Sequence, residues 1–168
     1  NTIKDFSERI KSAAGKSANI ELLEKIDKLG GNGPIMANAQ LALGVNVKYI
    51  GALGYPNINK IFSDFAHKTN AISISNPGIT HAIEFNDGKI MLGTMKSLES
   101  LTFDRICDST GKDKLIEIFN ESDSISIINW TMIPELTNIL NKILTEIMPK
   151  IIGKKNFFFD LSDPEKRT

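Results

Sequence analysis

The run Gly30-Gly31-Asn32-Gly33-Pro34 holds the densest chemical potential in the chain. Glycines ahead of a helix let backbone approach a ligand closely, and the helix N-terminus adds unpaired N–H donors with a partial positive charge. Asn32 can donate and accept at once, which suits sugar hydroxyls. The same residues also make a plain tight turn before a helix, and spacing alone does not choose between the two readings. Ala14-Gly15-Lys16-Ser17 echoes the end of a phosphate-binding loop. The first glycine of that motif falls on Ile10, however, and a helix rather than a strand precedes it, so an ordinary loop is the reading.

Further polar residues gather where strands should end. Asn129 with Trp130, and Asp160 with Asp163, Lys166 and Arg167, follow two apolar runs, and open α/β sheets bind ligands at the carboxyl ends of their strands. Each also has a bland reading: a turn residue for Asn129, core packing for Trp130, solvated surface for Lys166 and Arg167. His67 lies in a helical stretch and His81 in a strand, and Cys107 reads as a small hydrophobe.

The elements that must position these residues alternate. Ile3, Phe6, Ile10 and Ala14 recur at helical spacing. The stretch 19–29 has two readings, a helix by its Glu, Lys and Leu and a strand by its place ahead of the glycine turn, and the strand is the expectation; Pro34 and Gly44 bracket a helix over 34–43. Residues 45–50 read as a strand, Ile58 to Ala66 as a helix with one apolar stripe, and 71–75 as a strand. Asn86-Asp87-Gly88 joins 80–85 to 89–92 in a hairpin. A helix over 112–120 with Ser109 and Thr110 as caps, a strand over 124–129, a helix from Leu136 to Ile147 and a strand over 156–160 complete the chain. Strand, helix, strand in this order is parallel βαβ construction, which right-handed crossovers build into a three-layer α/β sheet.

Composition sets limits on all of this. The 168 residues carry 20 Lys and Arg against 20 Asp and Glu, so no basic surplus draws the chain to nucleic acid or a membrane surface. One cysteine cannot close an intrachain disulfide, and two histidines cannot supply a Cys/His zinc site, so no metal site is expected and a reducing, cytoplasmic setting fits. No apolar run reaches the ~18 residues of a membrane-spanning helix.

Gly30 to Gly44, followed by Tyr49-Ile50-Gly51-Ala52-Leu53-Gly54, resembles the first signature of the ribokinase/PfkB family of carbohydrate kinases. Phe159-Asp160-Leu161-Ser162-Asp163-Pro164-Glu165-Lys166-Arg167 looks like a variant of that family's Asp-x-Asn-x-Arg stretch. The resemblance implies a doubly wound, mostly parallel sheet with a small β lid, here about 19–29 and 80–92, that can form a homodimer contact. It implies transfer of the ATP γ-phosphate, with Mg2+, to a hydroxyl of a sugar or polyol. Gly31, Asn32 and Gly33 would lie against the sugar, and Asn129, Asp160 and Arg167 would line the cleft.

The departures narrow this expectation. The second asparagine of Gly-Gly-Asn-x-x-Asn is Ile35, the acidic pair after Gly-x-x-Gly is Tyr55-Pro56, and Ser162 holds the Asn position. Neither Gly-x-Gly-Asp, which carries the family's catalytic base, nor the magnesium-linked Asn-x-x-Glu occurs. Residues 1–168 therefore read as the sugar-side portion of one ribokinase-like domain, unable to catalyse alone and prone to associate through an open sheet edge. The alternative is a non-catalytic sugar- or nucleoside-binding module derived from such a kinase, and a third reading is a structural interaction domain.

Overall fold

A computed structural model describes residues 2–167. The chain divides into two compact units, one made of the segment ending at Asp27 with Ile79–Thr94, the other of Lys28–Gly78 with Met95 onward.

The first unit is helix α1 (Ile3–Ser12) with strands β3 (Ile79–Phe85) and β4 (Gly88–Thr94). Thr2 and Asp5 form a capping box: the Asp5 N–H donates to Thr2 Oγ1 at 3.1 Å and the Thr2 N–H donates to Asp5 Oδ2 at 2.9 Å. These bonds hold the Asp5 carboxyl below its ordinary range. β3 and β4 pair antiparallel from Ile79↔Thr94 to Phe85↔Gly88, so Asn86 and Asp87 make the turn the sequence announces. Asp87 Oδ1 accepts the Ile3 N–H at 2.8 Å, and the Phe6 and Phe85 rings meet at 5.2 Å. The apolar stripe of α1 thus covers one end of the hairpin face.

The strand expected over 19–29 does not form; residues 17–30 carry no regular structure. Strand hydrogen bonds run between chains of backbone, so a segment becomes a strand only beside a neighbour with free N–H and C=O groups. This segment joins no ladder among the described residues, and Leu23 and Ile26 stand 79% and 76% exposed.

The second unit holds the cores. Helix α2 (Asn32–Ala42) leads to β1 (Ile50–Ala52), which pairs in parallel with β2 (Ile72–Ser75) across a 3-10 turn at Lys60–Phe62 and helix α3 (Ser63–Lys68). Leu53, Phe62, Phe65, Ala66 and Ala37 are packed together, with Tyr49 edge-on to Phe65 at 5.0 Å. The expected strand over 45–50 shrinks to three residues starting at Ile50, because only there does β2 run alongside. Helix α4 (Phe103–Thr110) was not foreseen. Thr102 caps it by accepting the Arg105 N–H at 3.2 Å, and it turns Phe103 inward. Ser109 and Thr110 therefore end α4 instead of capping α5 (Lys112–Glu121), and Gly111, at φ +82, makes the turn between the helices.

Strand β5 (Ser124–Ile127) pairs in parallel with β6 (Asn156–Phe159). Helix α6 (Leu136–Lys142) connects them and continues as a π turn, Ile143–Ile147. Ile139, Ile143 and Ile147 recur every four residues, a spacing that drifts around a 3.6-residue turn. The wider π turn corrects the drift, keeping Ile143 and Ile147 buried while Leu144 rotates out to 61% exposure. With Phe103, Leu115, Phe119, Ile127 and Leu136 they make the largest core cluster.

The architecture is mixed α/β. Two parallel βαβ units form as expected, but the strands pair two by two and no hydrogen-bonded ladder joins the pairs into one sheet among the described residues. β6 ends its pair with Phe158 and Phe159 about half exposed, and with the Phe157 and Phe159 rings stacked at 5.9 Å.

Candidate functional site

Three chain segments converge beyond the ends of β5 and β6. The parallel ladder runs on past the strands: the Asp160 N–H donates to Ile127 O at 2.9 Å and the Asn129 N–H donates to Asp160 O at 3.0 Å. Asn129 adopts φ +72 and Ser162 φ +62, left-handed conformations that Asn tolerates better than most residues. The third segment is the start of α2, where Gly31 takes φ +91 as the cap residue.

Asp160 joins them. Its Oδ2 accepts the Asn32 side-chain amide at 2.9 Å and the Asn129 N–H at 3.2 Å, and its Oδ1 accepts the Ser162 N–H at 2.8 Å. The Asn32 Nδ2 also reaches Ser162 Oγ at 3.4 Å. Asn129 Oδ1 is buried and has no hydrogen-bond partner among the described residues. The turn of positions 30–33 thus meets the strand ends through Asp160, 128 residues from Asn32.

The glycines have separate local reasons. Gly31 needs its left-handed backbone. A Cβ at Gly33 would stand 2.9 Å from Tyr49 Oη, so Gly33 admits the Tyr49 ring. Burial pushes the Tyr49 phenol up to about 12.

Arg167 serves the neighbouring turn. Its guanidinium lies 4.0 Å from the centre of the Trp130 ring and donates to the carbonyls of Trp130, Ile133 and Pro134, the last at 2.6 Å. Trp130 Nε1 in turn donates to Thr137 Oγ1 at 2.9 Å. Arg167 therefore clamps residues 130–134, its donors turned to backbone. Lys166 pairs with Asp163 at 2.7 Å at the surface, which holds the lysine above its ordinary range.

The remaining candidates stand elsewhere. His67 is exposed near the end of α3, and His81 is exposed on β3. Cys107 packs against the core cluster, and burial pushes its thiol up, away from reactivity. Ser162 belongs to the cluster although its sequence suggested only a departure from a motif; its position two residues after Asp160 was the signal. An open groove of about 680 Å³, lined by Tyr55, Ser73, Thr102, Asp104, Arg105 and Asp108 among others, shares no residue with the Asp160 cluster. It escaped the sequence reading because α4 did. Among the described residues no three His, Cys, Asp or Glu side chains gather to hold a metal ion.

The cluster offers amide, carboxylate and hydroxyl groups at a helix start beside strand ends, an arrangement suited to holding a polyhydroxylated guest. A protein-family model described as prokaryotic ketohexokinase matches residues 1–164. The ketohexokinase of Haloferax volcanii is 27% identical over 169 residues, covering 99% of this chain and 45% of that protein. The chain thus spans a little under half the length of the curated relative it matches. No solved structure matches it. The class of protein these matches define is that of the carbohydrate kinases. Within that class, the chain belongs to the prokaryotic ketohexokinase family.

Proposed function

We propose that this chain is the sugar-side portion of an ATP-dependent kinase whose acceptor is a ketohexose or a closely related polyol. The observation that carries the reading is the Asn32–Asp160 hydrogen bond, which ties the Gly-Gly-Asn turn to the ends of β5 and β6 in a chain of this family. Gly31, Asn32, Gly33, Asn129 and Asp160 form the sugar-facing surface, and Arg167 holds the adjoining turn in place.

The chain completes one doubly wound, three-layer sheet together with the remaining part of such a kinase, which covers the open side of β6. Phe158 and Phe159, apolar on both faces of an end strand, support this, since strands buried on both faces read as continuous apolar runs. The hairpin at 80–92 and the 19–29 segment act as the lid, and the lid is the surface through which two copies pair. ATP and Mg2+ bind on the part carrying Gly-x-Gly-Asp, a motif that these 168 residues lack. The setting is the cytoplasm.

Calorimetric titration of the chain with D-fructose tests the reading, with Asn32→Ala as the control. The expected result is binding that Asn32→Ala weakens at least tenfold; binding indifferent to Asn32 would overturn it. A second reading is a sugar-binding module without chemistry. Fructose affinity that a non-hydrolysable ATP analogue leaves unchanged in a longer polypeptide would select the module.

A further inference from the structure

Three N–H groups from three different segments converge on the Asp160 carboxylate. A carboxylate only accepts, whereas an asparagine amide has one donating end and one accepting end. Asn32 therefore has a single workable orientation at 2.9 Å from Asp160 Oδ2: its NH2 faces the carboxylate, since the reverse would set two oxygens against each other. Both partners of that NH2, Asp160 and Ser162, come from the segment after β6. What remains for a guest is Asn32 Oδ1, exposed and unengaged among the described residues. Asn129 Oδ1 is a second acceptor without a partner.

We infer that Asp160 is a positioning residue that sets the polarity of the site: by holding the Asn32 amide with its oxygen outward, it makes the site read hydroxyl groups as hydrogen donors. The inference rests on the sugar-binding reading and adds what the site selects. A guest hydroxyl that gives its hydrogen to Asn32 Oδ1 is recognised; a fluorine at the same carbon, which cannot donate, is refused. The same site discriminates against guests that offer only carbonyl or ether oxygens at that position.

The Asp160→Ala variant breaks the device by removing both carboxylate oxygens. The Asn32 amide then keeps only the Ser162 hydroxyl, which can donate as well as accept. The Asn32 amide is thereby free to turn over and present its donor end outward.

The test titrates the protein with D-fructose and with its mono-deoxyfluoro analogues, before and after Asp160→Ala. One analogue is expected to bind the unaltered protein at least tenfold more weakly than fructose. In Asp160→Ala that ratio should shrink several-fold, whatever happens to absolute affinity. An unchanged ratio would reduce Asp160 to a structural tie and overturn the inference. NMR of the Asn32 side-chain NH2 supplies a readout that needs neither ligand nor folded variant. In the unaltered protein its resonances should be displaced from the free-amide position and its exchange slowed. Free-amide resonances would overturn the inference at its root, whereas displaced resonances without fructose binding would uphold the Asn32 orientation and sink the sugar reading on which the selection of hydroxyls rests.

Discussion

The helix–hairpin unit and the unit built on β1–β2 and β5–β6 spend their apolar residues in opposite ways. In the first, no described side chain is buried; Leu92, Met91 and Ile79 stand more than half exposed on a two-stranded hairpin. In the second, Leu53 and Ile147 are wholly buried, and parallel strands rest on helices. Amphipathic pattern is present in both, so pattern alone does not make a core. Two strands and one helix enclose too little volume, and a lone hairpin is marginal in water.

The largest way to sharpen that contrast is truncation at matched positions. Ile147→Ala should cost about 2–5 kcal/mol in denaturant unfolding, because the cavity cannot collapse in a packed core. Leu92→Ala on the hairpin should stay within about 0.5 kcal/mol, as exposed substitutions do. Equal losses would show that the hairpin is buried in solution and erase the contrast.

A smaller effect concerns the glycine turn. Gly33→Ala places a Cβ against the Tyr49 phenol and should destabilise by about 1–3 kcal/mol, the range of overpacked sites. Removing the hydroxyl with Tyr49→Phe should restore part of the loss. If Gly33→Ala leaves the unfolding midpoint unchanged but weakens fructose binding, the glycine serves the guest and not the tyrosine.

The smallest effect is electrostatic. Glu146 takes Lys112 at 2.6 Å and Lys142 at 2.8 Å, and these bonds hold its carboxyl down to about 2. The folded protein therefore binds fewer protons at this group than the unfolded chain does. Its contribution is complete above the ordinary glutamate range and disappears as pH falls from about 5 toward 2. Glu146→Gln should lower the unfolding midpoint at pH 7 and make no difference near pH 2. A pH-independent difference would show that packing, not charge, is what the side chain supplies.

Local signals served well where the deciding contact is near in sequence. Asn86-Asp87-Gly88 closes its hairpin because turn chemistry is written in adjacent residues. In the Leu136–Ile147 stripe, Leu136, Ile139, Ile143 and Ile147 are buried as their spacing predicts, but Leu144 shares that spacing and stands 61% exposed, because the π turn that decides it depends on the core it packs against. The 19–29 segment failed because a strand requires a partner that no local pattern can promise. Helix α4 passed unnoticed because its cap, Thr102, and short apolar face lack the length on which periodicity depends. At the site, Asn32, Asn129 and Asp160 were legible as polar residues at a helix start and strand ends. Their mutual bonding was not, nor was the turning of Arg167 onto carbonyls.

By itself, then, the order of residues determined the alternation of helices and strands, the glycine turn and the family, since each depends on chemistry within a few positions or on a matching pattern. Folding in three dimensions alone decided that Asp160 receives Asn32 from 128 residues away and orients its amide. A hydrogen bond requires two groups within about 3 Å at the right angle, and only the packing of β5, β6 and α2 sets that distance.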